Sequence, residues 1–126
     1  MANRTLVMGI VNVTPDSFAD GGKYLALSDA SARITEMLAE EVDIVDIGGE
    51  STRPGASRVS EEDERARVLP VVKEALALGA TVSVDTMRAS VAAAAIELGV
   101  HFINDVSGGL ADEKMSSVIA QSDVRY

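Results

Sequence analysis

The sequence predicts an α/β protein of parallel strands joined by helices, and three observations carry that prediction. Four short apolar runs rich in β-branched residues recur along the chain, at residues 5–11, 43–48, 81–85 and 100–106. Helical patterns fill the gaps between them, as crossovers between parallel strands require. Aromatic residues make up only 3% of a chain that is 47% hydrophobic, so the core is built from Val, Ile, Leu, Ala and Met, the usual content of strands covered by helices.

The first run, "TLVMGIV" (5–11), lacks strict alternation, which predicts a strand buried on both faces, as do the other three runs. From Ser28, read as an N-cap, Ala30, Ile34, Met37 and Leu38 recur at helical spacing. "DIVDIG" (43–48) is the second strand. Ser60 then precedes the acidic turn "EEDE", which suits the positive end of a helix dipole, and Val68, Val71, Val72 and Leu76 continue an apolar stripe to Gly79. Pro70 falls inside that stripe and predicts a break or kink. "TVSVD" (81–85) is the third strand, and "RASVAAAAIELG" (88–99) is a helix ending at Gly99, a residue suited to the left-handed C′ position. "VHFINDV" (100–106) is the fourth strand, a helix covers 112–121, and the final "DVRY" opens a fifth strand.

Such an order fits either an open doubly wound sheet or part of a (β/α)8 barrel. A closed barrel takes about 250 residues, so 126 residues supply about half of one.

Composition excludes several functions. Cysteine is absent, which removes disulfides, thiolate nucleophiles and cysteine-type zinc sites and fits a cytoplasmic protein. No apolar run approaches the roughly 20 residues that span a bilayer, and the N-terminus lacks a signal-peptide pattern. Twenty acidic against 11 basic residues leave a net charge of −9, which disfavours a nucleic-acid partner. An anionic small molecule would have to be held by local cations, backbone N–H groups or a metal.

Polar residues collect at the strand ends. Asn12 follows the first strand, Asp46, Gly48, Gly49 and Glu50 close the second, Asp85 the third, and Asn104 and Asp105 the fourth. These are C-terminal ends, the face on which parallel α/β folds bind ligands. A single Asp at a strand end is often only a cap, but four strand ends agree. Two loops, "TPDSFADGG" (14–22) and "STRPGASR" (51–58), exceed the usual length of a βα connection. Arg53 suits phosphate or carboxylate, and the Asn12 carbonyl oxygen suits a hard cation such as Mg2+. His101, the sole histidine, starts the fourth strand on the opposite face and reads as a packed or surface residue. "EEDERAR" (61–67) reads as a solvated helix face.

"MGIVNVTPDSFADGG", "DIVDIGGESTRPGA", "SVDTMRA" and "INDVSGG" resemble, in order and spacing, four signature segments of dihydropteroate synthases. The resemblance implies a (β/α)8 barrel of which residues 1–126 are the N-terminal half, in an enzyme of folate biosynthesis. The implied transferase reaction joins 4-aminobenzoate to the diphosphate ester of 6-hydroxymethyl-7,8-dihydropterin, yielding dihydropteroate and diphosphate. It further implies that Asp85 and Asn104 bond the pterin ring, that Val106 packs on it, and that Asn12 contacts Mg2+ and diphosphate. Thr14, Pro15, Asp16, Ser17 and Phe18, with Ser51, Thr52, Arg53 and Pro54, would order the leaving group and form the aminobenzoate pocket, where sulfonamides compete. Asp16, Phe18, Arg53 and Asp85 carry the catalytic roles in that reading.

The sequence departs from the family at Glu41 and Val42, where small residues are usual before the second strand, and at Ala19. The family's further pterin-binding Asp and Lys, and the Arg and His that hold diphosphate, lie on strands five to eight, outside these residues. With Arg53 as the one motif-derived cation, the 126 residues alone predict weak binding and little catalysis, with a homo-oligomer or the C-terminal half covering the open strand edges. The alternatives are a non-catalytic half-barrel or pterin-binding module, and a pterin-dependent methyltransferase, whose family lacks the first loop.

Overall fold

The structure is a computed structural model that describes residues 4–13, 23–49 and 59–126. Four strands, β1 (Met8–Asn12), β2 (Ile44–Gly48), β3 (Val82–Asp85) and β4 (Phe102–Asn104), alternate with four helices, α1 (Lys23–Ala39), α2 (Glu61–Ala77), α3 (Ala89–Leu98) and α4 (Met115–Ala120). All strand pairs are parallel, and the order across the sheet is β1-β2-β3-β4. Consecutive helices pack on one another, α1 on α2, α2 on α3 and α3 on α4. A doubly wound sheet reverses its strand order and places helices on both faces. Sequential order with neighbouring helices in contact is barrel winding, which settles the choice the sequence left open. Arg125 forms a parallel bridge to Phe102, so the strand expected at the final residues begins where a fifth barrel strand belongs.

The core lies between sheet and helices. Val11, Ile47, Val84 and Ile103 form one row on the helix side of the sheet, all at most 6% exposed. Against them pack Ile34 and Met37 of α1, Val68, Val71 and Val72 of α2, and Ala92 and Ala95 of α3. Glycines let strand and helix approach: a Cβ at Gly49 would stand 2.8 Å from Val68 Cγ2.

Several expectations are corrected. Helix α1 starts at Lys23 rather than Ser28, because partly buried Leu27 extends the stripe one turn back while Ser28 faces solvent. Helix α2 runs unbroken through Pro70. The ring costs the bond to the carbonyl of Ala66, but both residues are exposed, so water takes that acceptor. The last helix is shorter than 112–121, since Asp112 instead accepts from Ala89 N at 2.8 Å and Lys114 N at 3.0 Å. Strand β1 is not buried on both faces: Met8 and Ile10 are 43% and 59% exposed, because an edge strand has a neighbour on one side only. The other expected segments form, with β1 and β4 covering only part of their apolar runs. Ser60 caps α2 by accepting from Asp63 N at 3.1 Å, and Gly99 ends α3 with φ +103°.

Glu41 is the one non-glycine among the described residues with positive φ, +63°, at the turn that closes α1. Left-handed backbone costs an L-residue about 1 kcal/mol, so Glu41→Gly is expected to stabilise the fold by about that amount in urea denaturation.

The "EEDERAR" segment is not wholly solvated. Glu64 is 1% exposed, and its Oε1 accepts from Arg88 Nη1 at 2.6 Å. Arg88 Nη2 also donates to the Val59 carbonyl, tying the residue before the Ser60 cap of α2 to the start of α3. Removing one partner of a buried pair strands the other charge, at a cost of about 3–5 kcal/mol. Arg88→Met should show that loss, and the double change Arg88→Met, Glu64→Leu should recover most of it.

The loop after β4 is held by Asp105, whose carboxylate accepts from Ser107 N (2.8 Å), Ser107 Oγ (2.6 Å), Gly109 N (3.0 Å) and Tyr126 Oη (2.9 Å). Partial burial pushes its pKa up, but the bonds from Ser107, Tyr126 and Gly109 outweigh this and hold it below the usual carboxylate value. Burial, then the bond and charge of Asp105, push the Tyr126 phenol above its usual value. A raised pKa means the tie stabilises the fold below the ordinary phenol range and is lost as pH rises through the raised value. An ultraviolet titration, taken as the difference from Tyr126→Phe, should place this phenol above 10.0 and Asp105→Asn should lower it.

Candidate functional site

The parallel register brings the strand ends into one row. Asn12 pairs with Gly48, Gly48 with Asp85, and Asp85 with Asn104, each the last residue of its strand. Side chains alternate along a strand, so this row faces away from the helices, opposite the buried row of Val11, Ile47, Val84 and Ile103. Two residues earlier, Ile10, Asp46, Ser83 and Phe102 form a second row on the same inner face. The inner face is therefore polar at its C-terminal end, with Asn12, Asp46, Ser83, Asp85 and Asn104 gathered on four adjacent strands.

Glycine makes room in the centre. A Cβ at Gly48 would stand 3.3 Å from Asp85 Cβ and 3.5 Å from its Oδ2, so a side chain there would crowd the carboxylate. Thr86, 2% exposed, bonds the strand end in place: its N–H donates to the Asn104 carbonyl at 3.1 Å and its Oγ1 accepts from Arg88 N at 3.1 Å. Asp85 and Asn104 are half-buried, while Asn12 is exposed. Val106, in the loop organised by Asp105, is 59% exposed beside this face.

Beneath the outer row, Asp46 is 3% exposed and its Oδ2 accepts from Asn104 Nδ2 at 3.3 Å. Asp46 Oδ1 and the hydroxyl of fully buried Ser83 have no hydrogen-bond partner among the described residues. Buried polar atoms without partners cost stability, and they concentrate where a ligand or water completes the bonding.

Of the residues singled out from the sequence, the structure brings Asn12, Asp85 and Asn104 into one row and sets Val106 at the neighbouring loop. Thr14, Pro15, Asp16, Ser17, Phe18, Ser51, Thr52, Arg53 and Pro54 lie outside the described residues. His101 is exposed at the opposite end of the sheet, where its Nδ1 accepts from Val82 N at 3.1 Å, a structural use in line with its position. Among the described residues, no group of three or more His, Asp or Glu side chains could hold a metal. No helix among them is long and apolar enough to cross a membrane.

In the sequence Ser83 falls inside an apolar run, and Asp46 reads only as a strand-end polar group. The signal was the two-residue period of a strand: Asp46 is two before Gly48, and Ser83 two before Asp85. The Glu64–Arg88 pair had no such signal, because neither residue stands out from its charged neighbours.

Residues 8–126 match the family model described as "Pterin binding enzyme". The dihydropteroate synthase of Bacillus subtilis is 53% identical over 122 residues, covering 96% of this chain and 43% of that protein. Among solved structures, a dihydropteroate synthase from Clostridium difficile, determined in the presence of pteroic acid, superposes with a TM-score of 0.90 at 47% identity, covering 97% of this chain and 47% of that one. The Xanthomonas albilineans dihydropteroate synthase with 4-aminobenzoic acid gives a TM-score of 0.87 at 43% identity, covering 94% and 44%. The chain thus spans less than half the length of these three proteins. With the match running from β1 through the start of the fifth strand, and the polar row of strand ends inside it, the chain belongs to the pterin binding enzyme family.

Proposed function

We propose that residues 1–126 form the N-terminal half of a dihydropteroate synthase barrel, which joins 4-aminobenzoate to the diphosphate ester of 6-hydroxymethyl-7,8-dihydropterin. The observation that carries this reading is the row of Asn12, Gly48, Asp85 and Asn104 on a polar inner face. Relatives determined with pteroic acid and with 4-aminobenzoic acid supply the ligand class.

A pterin presents N–H donors along one edge, which suits the carboxylate of Asp85 and the side-chain carbonyl of Asn104. In the reaction the C–O bond to diphosphate breaks, the electron pair leaves with the diphosphate, and a cationic pterin methylene remains. The amine of 4-aminobenzoate then donates its lone pair to that carbon and loses a proton. Asp85, aimed at the ring from a partly dry strand end, places negative charge where the cation develops. Gly48 keeps the approach to that carboxylate clear.

On the same reading Asn12 offers one carbonyl oxygen to Mg2+, an ion that takes few protein ligands and completes its shell with water and phosphate oxygens. Bound there, the ion would supply positive charge against the diphosphate. Thr14, Pro15, Asp16, Ser17 and Phe18, and Ser51, Thr52, Arg53 and Pro54, would close over the leaving group and the aminobenzoate, with Arg53 as the local cation in a chain of net charge −9. Val106 would pack on the ring. Absent cysteine fits a cytoplasmic setting.

The test is formation of dihydropteroate, with diphosphate released, from the dihydropterin ester and 4-aminobenzoate in the intact protein that carries these residues. Product formation should require Mg2+, and Asp85→Asn should lower kcat about 100-fold. No dihydropteroate from the two substrates, or an undiminished Asp85→Asn variant, would refute the reading.

A further inference from the structure

We infer that Asp46 is a positioning residue: it fixes which way round the Asn104 amide stands, and so decides that Asn104 presents an acceptor to the ligand. The inference rests on the pterin reading of the site and extends it to a residue which that reading does not use.

A side-chain amide can stand in two orientations that differ by exchange of its oxygen and nitrogen, and its bonding network chooses between them. Asp46 Oδ2 lies 3.3 Å from Asn104 Nδ2. A carboxylate accepts and does not donate, so it bonds the nitrogen end and repels the oxygen end. One Nδ2 proton is thereby committed to Asp46, and the carbonyl oxygen stays available to a donor in the site. Without that constraint the amide could turn its nitrogen to the ligand, where a donor would meet a donor.

Stability alone gives no reason for the carboxylate. Asp46 is 3% exposed, its Oδ1 has no partner among the described residues, and its chain neighbours Val45 and Ile47 are buried apolar residues. The equivalent place on β1 is taken by Ile10. Burying a carboxylate oxygen without a partner is costly, and an apolar side chain would serve the fold as well or better. What the carboxylate adds is its one directional bond, and that bond goes to Asn104.

The distinguishing experiment is a double-mutant cycle in the intact protein, with binding of 6-hydroxymethylpterin monophosphate as the readout. Asp46→Asn keeps the size of the side chain but offers Asn104 both a donor and an acceptor. It should weaken binding about tenfold in the unaltered background and less than twofold beside Asn104→Ala, with the thermal midpoint unchanged or raised. An equal loss in both backgrounds, or no loss in either, overturns the inference.

Side-chain amide hydrogen exchange of Asn104 by NMR, in the protein without substitutions, decides the matter should Asp46→Asn not fold. A slowly exchanging Nδ2 proton supports the inference, and a freely exchanging one overturns it. Failure of the unaltered protein to take up the pterin would refute the proposed function instead, and the exchange measurement would still judge the Asp46–Asn104 bond.

Discussion

The register of four parallel strands is the constraint on which the rest of the structure depends. Parallel pairing fixes Asn12, Gly48, Asp85 and Asn104 side by side to within a residue, and a slip of one place would turn each side chain to the opposite face of the sheet. What holds that register is the helix side, where Val11, Ile47, Val84 and Ile103 are driven out of water against the helices. The apolar row and the polar row are thus two readings of one alignment. Packing on one face sets the chemistry on the other.

That division explains where the molecule tolerates unfavourable groups. The helix side is filled with Val, Ile, Ala and Met and closed by glycines at tight approaches, while of the three orphaned polar atoms among the described residues two lie on the inner face, at Asp46 and Ser83, and the third is Glu64 Oε2 on α2. The buried Glu64–Arg88 pair stands apart from both. It spans α2 and α3 and reaches Val59, so it links two crossovers whose strands end in Gly48 and Asp85. A bond network of this kind keeps neighbouring strand ends in step without touching a ligand.

Much of this was legible in the chain. Runs of β-branched residues, helix caps at Ser60 and Gly99, and polar residues after each run are local signals, and local physics produced the elements they announce. The choice between a doubly wound sheet and a barrel was not local, since it depends on strand order, which no single segment carries. Pro70 misled because its cost depends on exposure, a tertiary property. Ser28 misled because a serine on the solvent face of a helix looks, in sequence, like one at its start. Asp46 and Ser83 were visible only after the strands were placed, when the two-residue period set them beneath Gly48 and Asp85.

On the proposed function, a pterin binds the polar inner face at the C-terminal strand ends. A crystal structure of the intact protein soaked with 6-hydroxymethylpterin would show where the ring sits. The ring should lie on the inner face with its donor edge against Asp85 and Asn104; a ring bound elsewhere, with those two side chains still facing water, would contradict the account.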